Sequence, residues 1–317
     1  MKVARTVAVF AIAVFTVTGA FGQSYPDRPV RVIVPFPVKS DNDVVARAVS
    51  QKLSELWGQP VSVENRLGGF GTVGAAEVAK SPADGYTLLA NTGSLITSGA
   101  FTPTLPYDPV RSFVPISALA RLPYVVVVGR PAGVRTLAEL IAAAKSRPGK
   151  LSDGGGDGAL AHLLAEQFKL EAGIDVVHVS GEAPNPDVIA GRVTFWFSPL
   201  QLALTHLREG TLIALAVTSA RRCSLLPEVP TLAEAGLAKF EYGVWSGMWA
   251  PAGTPPSVVD KIAADIARSL AAPQIRESLA KLDAEPLITT PADFTRLIQA
   301  QAIDAARVFK PGVSKAP

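Results

Sequence analysis

The sequence predicts an α/β protein with mainly parallel sheets, and two observations carry that prediction. Short β-branched runs alternate with helical apolar repeats along most of the chain. Polar or glycine-rich loops repeatedly join a strand end to a helix start, which is where open α/β sheets bind ligands. With 317 residues and 48% hydrophobic content, the chain can fill a sizeable core and has the length of about two domains.

Residues 1–22 read as a cleaved targeting segment. Lys2 and Arg5 give a basic start, and Val7 to Thr18 is apolar but shorter than the ~20 residues of a membrane span. Ala20-Phe21-Gly22 supplies small residues before a cut at Gln23. The mature protein is therefore expected in the periplasm. The net charge of +3 and the absence of a Lys/Arg run exclude a nucleic-acid footprint. Cys223 is the only cysteine, so it forms no internal disulfide and reads as an ordinary surface or packed thiol.

Val30 to Val34 is β-branched and reads as a buried strand, ended by Pro35 and Pro37. Ser40, Asp41, Asn42 and Asp43 are all good helix N-caps, and Val45, Val49, Leu53 and Leu56 follow at helical spacing. The free N–H groups of such a helix start suit a carboxylate. Pro60 to Glu64 alternates as the next strand. Gly69, Gly71 and Gly74 then match the dinucleotide fingerprint, but on the second strand–loop–helix unit rather than the first, so a turn bringing a helix close to the sheet is the expectation. Tyr86 to Ala90 is a strand ending in polar Asn91, Thr92 and Ser94.

Tyr124 to Val128 holds four valines and reads as a strand buried on both faces. Thr136 and Glu139 form a capping box. Lys150 to Ser152 reads as a strand end, followed by a loop from Asp153 to Gly158 and a helix from Ala159 through His162. Asp153 and Asp157 either place negative charge at an anion site, favouring an amine or amide ligand, or cap that helix. Val176 to Val179 and Val193 to Phe197 are further strands, with Trp196 and Phe197 lining a pocket or packing in the core. Leu212 to Thr218 and Trp245 to Ala250 complete the strands. Thr231 and Glu234 form a second capping box, and Val258 to Leu270, Pro273 to Leu282 and Pro291 to Val308 are amphipathic helices.

No spacing of His162, His178 and His206 suggests a metal, no Gly-x-Ser-x-Gly elbow suggests a hydrolase, and no Walker lysine is present. The polar residues suit binding without chemistry, so no enzyme and no cofactor are expected.

Several stretches resemble one family in the same order: Val-Ile-Val-Pro-Phe-Pro with Asp43 opening Val-Val-Ala-Arg, Glu64-Asn65-Arg66, Leu105-Pro106-Tyr107-Asp108-Pro109, and Leu226 to Gly236. They resemble the tripartite tricarboxylate transporter solute receptors, or Bug receptors. In that family the first loop reads Pro-Gly-Gly-x-x-Asp, and here Val38, Lys39 and Ser40 take the Pro-Gly-Gly places. The resemblance implies a two-lobed type II periplasmic binding protein fold, with lobe 1 in 23–123 and 244–317 and lobe 2 in 124–243. It implies a receptor that traps a small carboxylate between lobes and delivers it to a membrane permease, or alternatively a ligand sensor for a signalling kinase. A monomer is expected. The implied ligand residues are Phe36, Lys39, Ser40, Asn42, Asp43, Thr92 and Ser94 in lobe 1, and Gly156, Asp157, Gly158, His162 and Ser198 in lobe 2.

Overall fold

The structure is a computed structural model that describes residues 25–102, 104–157, 159–181, 184–238, 240 and 243–309. The targeting segment and Gly158 lie outside the described residues. Four strands open the first sheet: β1 (Val30–Val34), β2 (Val61–Asn65), β3 (Thr87–Thr92) and β4 (Phe113–Leu122). The second sheet takes β5 (Tyr124–Gly129), β6 (Ser152–Gly155), β7 (Val177–Ser180), β8 (Phe195–Pro199) and β9 (Leu212–Val217). The chain then returns, and β10 (Val244–Pro251) and β11 (Glu285–Pro286) complete the first sheet.

The orders are β11-β4-β10-β3-β1-β2 and β7-β6-β8-β5-β9. Apart from β11, both repeat one plan: second strand, first, third, a strand received from across the crossing, fourth. The first strands, β1 and β6, pair parallel with both neighbours. The received strands, β10 and β5, pair antiparallel with both of theirs. Each sheet is thus parallel where helical crossovers build it and antiparallel where the other half of the chain enters.

Ten helices among the described residues cover the sheets: α1 (Asp41–Trp57), α2 (Thr72–Ala79), α3 (Ser94–Phe101), α4 (Leu137–Ser146), α5 (Leu160–Ala172), α6 (Pro184–Ile189), α7 (Leu200–Arg208), α8 (Pro256–Ala271), α9 (Pro273–Ala280) and α10 (Pro291–Val308). None is long and apolar enough to cross a membrane. Val45, Val49 and Leu53 of α1 are fully buried in the same core as Val32 and Val34 of β1. In the second lobe Phe168 of α5 meets Phe195 and Phe197 edge-on at 5.6 and 5.8 Å. Phe197 is therefore a core residue, and so is Cys223, whose thiol burial pushes up.

β4 runs ten residues, because β10 pairs along its whole length. One boundary departs from the sequence expectation. β6 continues through Asp153, Gly154 and Gly155, residues expected in a loop. These glycines bear no Cβ, so they fit a buried strand against β8. The Thr231–Glu234 capping box forms, with reciprocal bonds of 2.9 and 3.1 Å, but it closes a turn rather than a helix.

The lobes touch at several points. A Cβ on Gly156 would overlap the Phe70 ring. Phe101 and Phe309 of lobe 1 pack on His162 of lobe 2 at ring-centre distances of 4.5 and 5.0 Å. Arg221 pairs with Glu285 at 2.6 Å, and Asp283 accepts from the Leu225 N–H at 2.8 Å.

Candidate ligand site

The β1–α1 loop is held by its own side chains. Ser40 caps α1 and accepts the Asp43 N–H at 3.3 Å. Asp43, almost wholly buried, accepts from the Lys39 N–H at 2.8 Å, Asn65 Nδ2 at 2.8 Å and Arg47 Nε at 3.0 Å. Burial opposes its charge, but Arg47, Asn65 and the Lys39 N–H outweigh burial and hold the carboxyl below the usual range. All of its hydrogen-bonding capacity is therefore turned inward, and its role is to shape the loop. Lys39 has φ 70, the left-handed region that glycine favours. The bond from its N–H to Asp43 is what keeps a lysine there. Its side chain is exposed. Phe36 is half-buried, and its carbonyl accepts from Asn65 Nδ2 at 2.9 Å.

The residues between differ. Asn42 Nδ2 donates to the Ala90 carbonyl at 2.9 Å, which leaves Oδ1 buried without a donor. Asp41, 6% exposed, has both carboxylate oxygens buried and unpartnered. Burial pushes its carboxyl up to about 7, with its own backbone N–H pulling the other way. Its charge in turn raises the buried Tyr124 phenol, after burial itself. Sequence reading took Asp41 for one more N-cap candidate. The signal available was that Ser40 and Asp43 already supply the cap, leaving Asp41 without a structural task.

At the end of β3 the hydroxyls satisfy one another. Thr92 and Ser94 share a bond of 2.9 Å, and Ser94 Oγ donates to Asn91 Oδ1 at 3.2 Å. Ser246 of β10, in register with Thr92, has a buried Oγ with no partner.

In lobe 2 the expected aspartates divide. Asp153 is buried in β6, with Lys169 at 2.6 Å and His178 Nδ1 at 2.6 Å. It neither caps α5 nor faces a ligand, because the Lys169 ammonium and the His178 ring occupy its two oxygens. Asp157 is exposed and lies 3.4 Å from His178 Nε2. α5 starts at Leu160 with no side-chain cap. Trp196 Nε1, buried and unpartnered, sits beside this start: a Cβ on Gly155 would be 3.7 Å from it and 3.9 Å from the His162 N–H. Ser198 Oγ donates to the adjacent Pro199 carbonyl at 3.0 Å and is fully buried.

His162 stacks on His178, a meeting that sequence spacing conceals. With Asp157 they bring three ligand atoms within 4.8 Å of one another, a grouping that transition metals use. The rings are parallel within 1° at 3.5 Å, so their in-plane lone pairs run side by side and do not converge on one ion. The glycine fingerprint also has a structural task. A Cβ on Gly74 would press on Pro35 and the Arg66 carbonyl at 3.0 Å, so the glycine lets α2 approach the sheet.

The profile described as "Tripartite tricarboxylate transporter family receptor" matches residues 45–311. The chain belongs to that family. BugT of Bordetella pertussis is 36% identical over 305 residues, 93% of each chain. A protein from the tcbD–tcbE intergenic region of Pseudomonas is 40% identical over 264 residues, 82% of this chain and 79% of the relative. Among solved structures, the periplasmic binding protein BugD superposes with a TM-score of 0.77 at 31% identity, covering 90% of this chain and 98% of BugD. A Rhodopseudomonas palustris family structure with adipate gives 0.79 at 33% identity, covering 90% and 98%. MatC from the same organism, with bound malate, gives 0.77 at 28% identity, covering 90% and 100%. The two-lobed fold implied by the sequence is thus the fold of this receptor family.

Proposed function

We propose that the chain is an exported, monomeric solute receptor that traps a small carboxylate-bearing solute between its lobes and delivers it to a tripartite tricarboxylate-type permease. The observation that carries this reading is the set of buried polar atoms without partners on both sides of the lobe contact: Asp41 and Asn42 in lobe 1, His162 and Trp196 in lobe 2. Unsatisfied buried groups of this kind cost free energy unless a ligand completes them. Adipate and malate in related structures support the carboxylate class. Lobe closure about the two crossings brings the groups together around the solute.

A thermal-shift screen of the mature protein against mono- and dicarboxylates, amino acids and amides tests it. A ligand at 100 times its Kd adds about 2.7 kcal/mol and moves the melting curve by a few degrees. No shift from any of them overturns the receptor reading. Delivery is tested separately: deleting the gene should abolish uptake of the acid identified, and unchanged uptake refutes the permease partnership.

A further inference from the structure

We propose that the solute is a small acid that also carries a protonated amine, and that Asp41, with Asn42 Oδ1, is the counter-charge that selects it. This rests on the receptor reading and adds the ligand's second functional group and its orientation.

The unpartnered atoms have a sense. In lobe 1, Asp41 Oδ1, Asp41 Oδ2 and Asn42 Oδ1 are three acceptors on adjacent residues, all buried. An alkylammonium carries three N–H donors and no acceptor. In lobe 2, the unpartnered Trp196 Nε1 can only donate, and it stands beside the uncapped start of α5, whose N–H groups and positive dipole end also favour an anion. A solute bound between them turns its amine to lobe 1 and its carboxylate to lobe 2. A plain dicarboxylate turned the same way sets one carboxylate against Asp41.

Among the described residues, the groups around Asp41 supply no alternative counter-ion. Asp43 is bound to Arg47, Asn65 and the Lys39 N–H, the Lys39 side chain is exposed, and Tyr124 is a neutral phenol whose ionisation Asp41 opposes. Asp153 cannot play the part, because Lys169 and His178 hold it. With its carboxyl poised at about 7 in the free protein, Asp41 is one proton away from the form an ammonium needs. The amine supplies the charge that burial withholds.

The experiment is isothermal titration of the mature protein with matched pairs: L-aspartate against succinate, L-glutamate against glutarate, 4-aminobutanoate against butanoate. The expected result is that at least one amine-bearing acid binds, tenfold or more tighter than its partner. Asp41→Asn, which keeps the shape, should remove that preference, and Trp196→Phe should weaken both members of a pair alike. For the wild type, affinity for the amine-bearing acid should rise about tenfold from pH 6 to pH 8, as Asp41 loses its proton. A plain acid that binds as tightly as its amine-bearing partner, with Asp41→Asn indifferent, overturns this inference and leaves the receptor reading standing. Binding of no member of the panel overturns both.

Discussion

The imidazoles of His162 and His178 lie face to face, 3.5 Å apart and parallel within 1°. Around them stand Asp153, Asp157, Glu166 and Lys169 from lobe 2 and the Phe101 and Phe309 rings from lobe 1. Burial would raise the Glu166 carboxyl, but His162 and Lys169 outweigh it and hold it at about 2. Burial lowers His162 below its ordinary range, Glu166 and Asp153 oppose, and His178 adds to the lowering.

The sign of the resulting pH dependence follows. Below pH ~6.5 the unfolded chain protonates its histidine before the folded one does, so stability from this site falls with acidification until the folded value is passed. Urea denaturation at pH 7.5 and 5.5 should show that His162→Gln loses less stability than wild type over that interval. Equal losses would mean that His162 titrates normally.

Asp41 works in the opposite direction. Its carboxyl stands at about 7 in the fold against 3.8 ordinarily. Raising the pH through that window ionises the unfolded chain first and favours unfolding, by as much as about 4 kcal/mol at 1.36 kcal/mol per pH unit. In the absence of ligand, Asp41→Asn should be more stable than wild type by about 2–4 kcal/mol at pH 8 and close to it at pH 4. A gap that does not change with pH would point to packing rather than charge.

Which residues could be read in advance follows from the range of the interactions. The Thr136 cap and Glu139 sit three residues apart; the Glu139 N–H donates to Thr136 Oγ1 at 3.1 Å as the motif requires, while the Glu139 carboxylate reaches one residue further back and accepts from the Arg135 N–H at 2.7 Å. The valines of β5 are fully buried, as a run of four β-branched residues requires. Asp41 looked like its neighbours because what sets it apart is the burial of both carboxylate oxygens without a partner, which no local spacing signals. His162 and His178 share no spacing rule. They meet because β6 and β7 pair with Asp153 opposite His178, while α5 lies over that edge. The glycines of β6 read as a loop because their composition is that of a turn; only the neighbouring β8 makes them a strand.

At Gly156 the lobes come into close contact. Any Cβ there meets the Phe70 ring, itself fixed at φ 53 between Gly69 and Gly71. Gly156→Ala should cost about 1–3 kcal/mol, the usual penalty of overpacking. Small-angle scattering should show a more open molecule. Phe70→Ala should relieve both effects in the double variant. Persistence of the penalty in that background would show that Gly156 is needed for its backbone instead.

Asp43 gives the last prediction, because its position in the loop suggests a ligand contact and its bonds do not. Asp43→Ala takes the acceptor from the part-buried Lys39 N–H and from one bond of the Asn65 amide, which keeps the Phe36 carbonyl, and frees Arg47. Each stranded donor costs about 1–3 kcal/mol, so the variant should lose about 2–4 kcal/mol before any ligand is added. Its contribution is also lost as pH falls through the folded value, since its charged form is the one the loop stabilises. Asp43→Asn keeps one acceptor for the Lys39 N–H and should lose less. Denaturation in the absence of ligand measures both variants. If Asp43→Ala is as stable as wild type yet fails to bind the solute, the carboxylate contacts ligand directly and the positioning role is wrong.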